Sequence, residues 1–149
     1  MKVPESVLVV IYTDSGQALL IERADHPGFW QSVTGSKETL DEPLRLTCQR
    51  EVSEETGLRA EIADFEDWHI QNRYEIYKHW RARYPEGTTH NLEYVFGLRL
   101  AQICEIKLSP KEHLNYAWHP VVQAGERCFS WTNAAALKVC AQRLVKHGT

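Results

Sequence analysis

The sequence predicts an α+β domain in which a mixed β-sheet is sandwiched between α-helices. Four observations predict this fold class. A continuous run of β-branched and apolar residues occupies positions 7–12, and a sharply bounded helical segment follows at 42–56. Aromatic-rich, alternating segments then fill the middle of the chain, before an amphipathic segment near its end. Strands, a helix, more strands and a final helix are typical of one sheet with helices on its faces.

The first two strands are predicted to form a hairpin. Residues 7–12 have the sequence Val-Leu-Val-Val-Ile-Tyr, which favours a strand buried on both faces. The turn sequence Asp14-Ser15-Gly16 separates this run from a second apolar run at residues 18–21. Two apolar runs on either side of such a turn predict a hairpin of buried strands.

The next element is the best-bounded helix of the chain, predicted at residues 42–56. The segment contains no glycine, and its single proline, Pro43, lies where the first turn of a helix tolerates it. Gly57 follows as a C-terminal stop signal. A helix of about four turns is therefore expected.

Further strands are predicted around residues 68–77, 91–100 and 116–118, separated by proline-containing turns at 85–87 and 109–110. Side chains alternate between the two faces of a strand. Tyr74 and Tyr77 should therefore face opposite sides, so that only one of them lines a given pocket unless the segment bends or bulges.

A second helix is predicted near the end of the chain. Thr132 or Asn133 can cap its start, and Gly148 marks where it has stopped. Apolar side chains recur along one helical face, at Leu137, Cys140, Ala141 and Leu144.

Length and composition limit the class of protein. A chain of 149 residues that is 43% hydrophobic predicts one domain over residues 1–149. A net charge of −3 with no basic block indicates no nucleic-acid polymer as partner, while a small phosphorylated ligand stays compatible.

Because neither a membrane-spanning run nor a secretion signal is present, we expect no membrane partner and a cytoplasmic location. The sequence carries no signal for an oligomeric state. The four cysteines contain no Cys-x-x-Cys pair and are expected to be reduced, structural thiols.

The chemically informative feature is a cluster of three glutamates at the end of the first helix. Glu51 and Glu55 lie within about 40° of each other around the helix, and Glu54 lies about 60° further round. Leu44 and Cys48 project on the same side, so the acidic arc continues a buried face. A hard divalent cation such as Mg²⁺ suits such a cluster. Basic neighbours that satisfy the acids in a surface charge network are the alternative.

The residues around this cluster form a longer motif. Its positions are Gly35, Glu42, Arg50-Glu51-Val52, Glu54-Glu55 and Gly57-Leu58. Their order and spacing resemble the Nudix box. One extra residue stands between Gly35 and Glu42, which we interpret as a loop insertion before the helix. The resemblance implies a Nudix fold and hydrolysis of a phosphoanhydride bond with Mg²⁺, or Mn²⁺ as a substitute. It also implies metal ligation by Glu51 and Glu55, a third acid at Glu54 for metal or water, and a catalytic role for Arg50, which orients these carboxylates.

Five further segments resemble one branch of that family, the bacterial dihydroneopterin triphosphate diphosphatases of folate synthesis. They occupy residues 29–35, 74–77, 83–87, 112–118 and 130–133. The resemblance implies a further metal ligand at Glu112. It also implies a set of substrate contacts, at Lys2, Arg23, Thr34, Tyr74, Glu75, Ile76, Tyr77 and Ser130.

Each of these assignments has a simpler alternative. Arg23 is a candidate surface charge at a strand end, Thr34 a turn residue, and Ser130 a cap of the last helix. Glu112 is a candidate solvated loop acid. For His113 we expect packing or hydrogen bonding rather than catalysis.

The expected reaction is Mg²⁺-dependent hydrolysis of 7,8-dihydroneopterin triphosphate to the monophosphate and pyrophosphate. Two alternatives stay open. The chain is a candidate pyrophosphohydrolase for dATP or damaged dNTPs, because the same phosphate machinery accepts any base that fits. It is also a candidate non-catalytic binding module, although such a module has no need for a crowded acid cluster.

Overall fold

The computed structural model describes residues 1–147 and has the predicted architecture, a mixed sheet with helices on its faces. The strands are β1 (Glu5–Thr13), β2 (Gln17–Arg23), β3 (Trp30–Gln31), β4 (Val33–Ser36), β5 (Phe65–Glu75), β6 (His90–Leu100) and β7 (His113–Pro120). The helices are α1 (Leu44–Thr56), α2 (Val121–Arg127) and α3 (Trp131–His147). In this described range, no helix is long and apolar enough to span a membrane.

The sheet has the strand order β3-β2-β1-β6-β5, with β4 beside β1 and β7 beside β2. The β1–β6 pair is parallel and the other pairs are antiparallel. The predicted hairpin forms at its turn, where Tyr12 pairs with Ala18. Beyond that point β1 and β2 are not paired with each other, because β1 pairs with β4 and β2 pairs with β3 on the same edge. The two strands therefore separate toward the end of the sheet where Ser6 and Arg23 lie.

Two hydrophobic cores cover the two faces of the sheet. Val7 and Val9 of β1 pack in one core with Val52 of α1. Leu8 of β1 packs in the other core with Leu137 of α3. Burial on both faces explains the continuous apolar run at residues 7–12, as predicted. All four cysteines are free thiols, as expected.

Helix α1 agrees with the prediction to within two residues. It begins after Pro43, and Gly57 ends it in the left-handed conformation with φ of 75°. The Gly57 N–H donates a hydrogen bond to the Ser53 carbonyl at 3.0 Å. A glycine is required here because other residues rarely adopt a positive φ.

Helix α3 starts earlier than predicted. It begins at Trp131, and the Ser130 hydroxyl accepts a hydrogen bond from the Asn133 N–H at 3.3 Å. Ser130 is thus the cap, and the prediction of Thr132 or Asn133 is wrong. Gly148, the predicted stop, lies outside the described residues.

The segment after β5 differs from the predicted regular strand. Strand β5 ends at Glu75, and a 3₁₀ segment, Lys78–Arg83, follows. Ile76 is buried while Tyr77 is exposed. Because the chain turns here, strand alternation does not separate Tyr74 from Tyr77, and the expectation that only one tyrosine lines the pocket is wrong. Helix α2 and the short strands β3 and β4 are further elements that the sequence patterns did not indicate.

Candidate active site

A cavity of about 970 Å³ lies at the end of the sheet where β1 and β2 separate. It brings together residues from the start of the chain, α1, the loop before β7, the end of β5 and the start of α3. Twelve of the thirteen predicted site residues line it: Lys2, Arg23, Thr34, Glu51, Glu54, Glu55, Tyr74, Glu75, Ile76, Tyr77, Glu112 and Ser130. Arg50 is the exception, although its guanidinium contacts Glu51.

Glu51 is held against β4 by a close approach of helix and strand. A Cβ atom on Gly35 would lie 2.0 Å from Cδ of Glu51, so a larger residue here would displace the Glu51 side chain. Gly35 is in turn fixed by antiparallel pairing with Val7 of β1. The glycine of the motif therefore leaves space for the first glutamate of the helix.

Arg50 orients the neighbouring carboxylates. Its guanidinium donates hydrogen bonds at 2.8 Å to Oε1 of Glu51 and at 2.8 Å to Oε1 of Glu42. It also donates to the Ser36 carbonyl at 3.1 Å and forms an ion pair with Glu38 at 3.0 Å. The extra residue before Glu42 lies in the loop between β4 and α1, and it does not prevent Glu42 from reaching Arg50.

Glu55 is a buried carboxyl group that lacks a hydrogen-bond donor. Its exposed fraction is 3%, and neither side-chain oxygen accepts a hydrogen bond from residues 1–147. Burial, followed by the neighbouring Glu51, raises the pKa of Glu55 well above its usual value. His113 Nε2 lies 3.6 Å from Glu55 Oε1, but burial and Arg23 lower the pKa of His113 to about 4. The imidazole is therefore neutral at pH 7 and supplies no counter-charge.

These carboxylates fit a divalent cation in their chemistry. Carboxylate oxygens are the ligands that hard cations prefer, and a buried carboxylate without donors requires a positive partner. Glu54 and Glu112 are exposed at the cavity wall, and the charge of Glu112 contributes to the raised pKa of Glu55. Across the described chain, however, no three His, Cys, Asp or Glu side chains are gathered as a metal-binding group. The structure thus brings Glu51 and Glu55 together but does not assemble a triad with Glu112.

Arg23 lies at the end of β2, between the carboxylates and the aromatic part of the cavity. It forms hydrogen bonds with Asp25 at 2.7 and 2.8 Å and with Gln31 at 3.1 Å. Its guanidinium also lies 4.6 Å from the ring centre of Trp80. The side chain is only 18% exposed, which is unlike a freely solvated surface charge. Thr34, which accepts a hydrogen bond from Gln31, lies in β4 rather than in a turn.

The other end of the cavity is polar and aromatic. Ser130 caps α3, as in the simpler alternative, and it also lines the cavity. Several lining residues here were missed by sequence reasoning, among them Trp80, Asn91, Glu93 and Phe129. The polar residues at 91 and 93, on the same strand face as the apolar Val95, were a signal that was available from the sequence.

Comparison with known proteins agrees with this geometry. Residues 2–140 match the family described as NUDIX domain. The chain therefore belongs to the NUDIX domain family, and it is a Nudix hydrolase. Members of this family generally use divalent metal ions.

Particular relatives narrow the comparison. Dihydroneopterin triphosphate diphosphatase of Escherichia coli K12 is 39% identical over 140 residues, which cover 92% of this chain and 91% of that protein. The Haemophilus influenzae protein of the same name is 37% identical over 143 residues, covering 90% and 85% of the two chains. The structure of the E. coli dihydroneopterin triphosphate pyrophosphohydrolase superimposes with a TM-score of 0.84 at 38% identity, over 92% of this chain and 94% of that one.

Proposed function

We propose that this chain hydrolyses 7,8-dihydroneopterin triphosphate to dihydroneopterin monophosphate and pyrophosphate in the presence of Mg²⁺, as a step of folate biosynthesis. The observation that carries the proposal is one cavity that joins the motif carboxylates to an aromatic and polar end. Its volume lies within the range of sites for ligands of this size. The similarity to relatives that are named for this substrate supports the choice of ring.

At the carboxylate end, Glu51 and Glu55 would hold the metal ion, with Glu112 joining them from the loop before β7. The bound ion would neutralise negative charge on the phosphate oxygens. Arg50 acts as a positioning residue, because its two short hydrogen bonds fix the rotamers of Glu51 and Glu42. Glu54 is exposed to the cavity and supplies a carboxylate that accepts the proton of the attacking water.

Arg23 binds the phosphate chain in this proposal. It lies between the two ends of the cavity, and its charge acts on both Glu55 and Tyr74. Lys2, another cation at the cavity wall, is held by a backbone hydrogen bond to the Arg83 carbonyl at 2.7 Å. Guanidinium and ammonium groups match the charge and hydrogen-bonding geometry of phosphates.

The test is pyrophosphate release from dihydroneopterin triphosphate and from dATP at fixed Mg²⁺, compared as kcat/KM. We expect the pterin substrate to be preferred, and we expect a chelator to abolish turnover that Mg²⁺ then restores. A preference for dATP would replace the pterin assignment with nucleotide hydrolysis. Absence of pyrophosphate release from both substrates would refute the proposed reaction.

A further inference from the structure

The sheet face that packs against α3 changes from apolar to polar at the cavity. On β1 the residue before Leu8 on this face is Ser6, and on β6 the residue before Val95 is Glu93. Ser6 and Glu93 are cross-strand partners, so the change occurs on both strands at the same level. We call four residues that line the cavity here the polar patch: Ser6, Tyr74, Asn91 and Glu93.

Two members of the polar patch are buried and incompletely hydrogen-bonded. Asn91 is 1% exposed and Glu93 is 2% exposed. The Asn91 side-chain amide donates to Ser6 Oγ at 2.7 Å and to the Tyr74 hydroxyl at 3.1 Å. Asn91 Oδ1 and Glu93 Oε1 accept no hydrogen bond from any residue between 1 and 147. Two buried acceptors therefore line a cavity without donors of their own.

Folding alone does not explain these acceptors. A buried polar atom without a partner destabilises the folded state, and an apolar residue would continue the pattern set by Leu8 and Val95. Burial raises the pKa of Glu93 to about 7, although Thr132 and Asn72 beside the carboxyl group lower it. Hydrogen-bond donors on a ligand would satisfy both oxygens and favour the ionised carboxylate.

We propose that Glu93, with Asn91 beside it, determines ring specificity by accepting hydrogen bonds from an amino-pyrimidinone edge of the substrate. This inference rests on the proposed function, since a pterin presents a ring N–H next to an amino group. Guanine presents the same pair of donors. Adenine presents an amino group next to a ring nitrogen that accepts, so a carboxylate matches it less well.

The experiment compares Glu93→Gln and Glu93→Met with wild type. Glu93→Gln keeps the shape of the side chain, and Glu93→Met removes its polar atoms at similar volume. Glu86→Gln is the matched control, because it removes the same charge from an exposed turn outside the cavity. Both Glu93 variants should melt near the wild-type temperature, since they remove one buried oxygen that lacks a donor and also weaken the contacts of Glu93 with Thr132 and Asn72. Glu93→Met gives a second test should Glu93→Gln not fold.

Activity is measured as kcat/KM for dihydroneopterin triphosphate, dGTP and dATP. We expect the Glu93 variants to lose roughly 10- to 150-fold on the pterin and on dGTP, which is the range for one charge-assisted hydrogen bond. The dATP value should change by less than about twofold, because adenine does not use this carboxylate as a paired acceptor. The Glu86→Gln control should match wild type on all three substrates.

Binding of neopterin, guanosine and adenosine to the metal-free protein gives a second readout that does not depend on turnover. Glu93→Met should weaken neopterin and guanosine binding and leave adenosine unchanged. Equal losses on all ligands, or an unchanged ratio between them, would overturn the inference. A wild-type preference for dATP over the pterin would overturn the proposed function instead, while a selective loss on dGTP would still support the role of Glu93.

Discussion

Replacement of Arg50 by alanine tests whether this residue positions the motif carboxylates. Burial alone would raise the pKa of Glu42, but hydrogen bonds from Arg50 and then Thr47 lower it to about 2. Relative to an ordinary value of about 4.5, this corresponds to about 3 kcal/mol of stability at neutral pH. Since Thr47 and solvent share the effect, we expect Arg50→Ala to destabilise the protein by about 2–3 kcal/mol at pH 7.

The sign of the pH dependence provides a sharper test. A carboxyl group with a lowered pKa stabilises the fold above its unfolded pKa, and this stabilisation is lost as the pH falls toward the folded pKa. In Arg50→Ala the Glu42 pKa returns toward 4.5. The difference in free energy of unfolding between wild type and variant should therefore narrow by about 1 kcal/mol as the pH falls from 5 to 3.5. Urea unfolding followed by tryptophan fluorescence at pH 7, 5 and 3.5 measures both quantities.

The control variant is Arg59→Ala, which removes the same charge from an exposed position just beyond α1. It should change stability by less than about 0.5 kcal/mol at any of these pH values. In Arg50→Ala, kcat should also fall by about 10- to 100-fold, because Glu51 loses its fixed orientation. Two results would refute the positioning role of Arg50: a loss of unfolding free energy below about 1 kcal/mol in Arg50→Ala, or a loss that does not vary with pH.

Five other substitutions give separate tests. Glu55→Gln should abolish most pyrophosphate release, yet it should raise the melting temperature of the metal-free protein at pH 7. Because the pKa of Glu55 is raised in the folded state, ionisation of this group destabilises the wild type as the pH rises. The gain in melting temperature should therefore fade as the pH falls toward 4.5. Glu112→Ala should shift the Mg²⁺ titration of activity without changing the melting temperature of the metal-free protein, and an unaltered titration would return Glu112 to the solvated surface. Arg23→Ala should reduce kcat/KM for the pterin triphosphate and for dATP by similar factors of roughly 10 to 150, whereas a selective loss would place Arg23 at the ring. Tyr74→Ala and Tyr77→Ala should both change the pterin-to-dATP ratio, because both side chains line the cavity; an unchanged ratio in either variant would remove that tyrosine from the ring site.

The part of the site built on α1 was predictable because it depends on local geometry. Helical periodicity places Glu51 and Glu55 on the buried side of α1, and Gly57 marks its end. Cys48, which was predicted on the same face of the helix, lies in the core. Residue spacing along one helix therefore predicted both the helical fold of the motif and the clustering of its acidic side chains.

Strand partners were not predictable in the same way, because they depend on contacts between distant residues. The parallel pairing of Val7 with Tyr94 joins positions that no local turn connects. The end of β5 was also missed, because alternation in a sequence does not show where a strand turns away from the sheet. Ile76 still donates its backbone N–H to the Thr89 carbonyl at 2.8 Å, yet the chain bends immediately afterwards.

Buried polar atoms distinguish the parts of this protein that serve binding from the parts that serve folding. Within residues 1–147, eight buried side-chain nitrogen or oxygen atoms lack a hydrogen-bond partner. Five of them, on Glu55, Asn91, Glu93 and His113, line the cavity of the candidate active site, so they are concentrated where a ligand can reach them. Glu55 and Glu93 belong to opposite ends of this cavity, and each is a carboxyl group whose pKa is raised by burial. A cation beside Glu55 and N–H donors beside Glu93 would each offset the free-energy cost of burying a carboxyl group. A substrate that combines a phosphate chain, which brings the cation, with a donor-rich ring therefore matches the cavity better than either group alone.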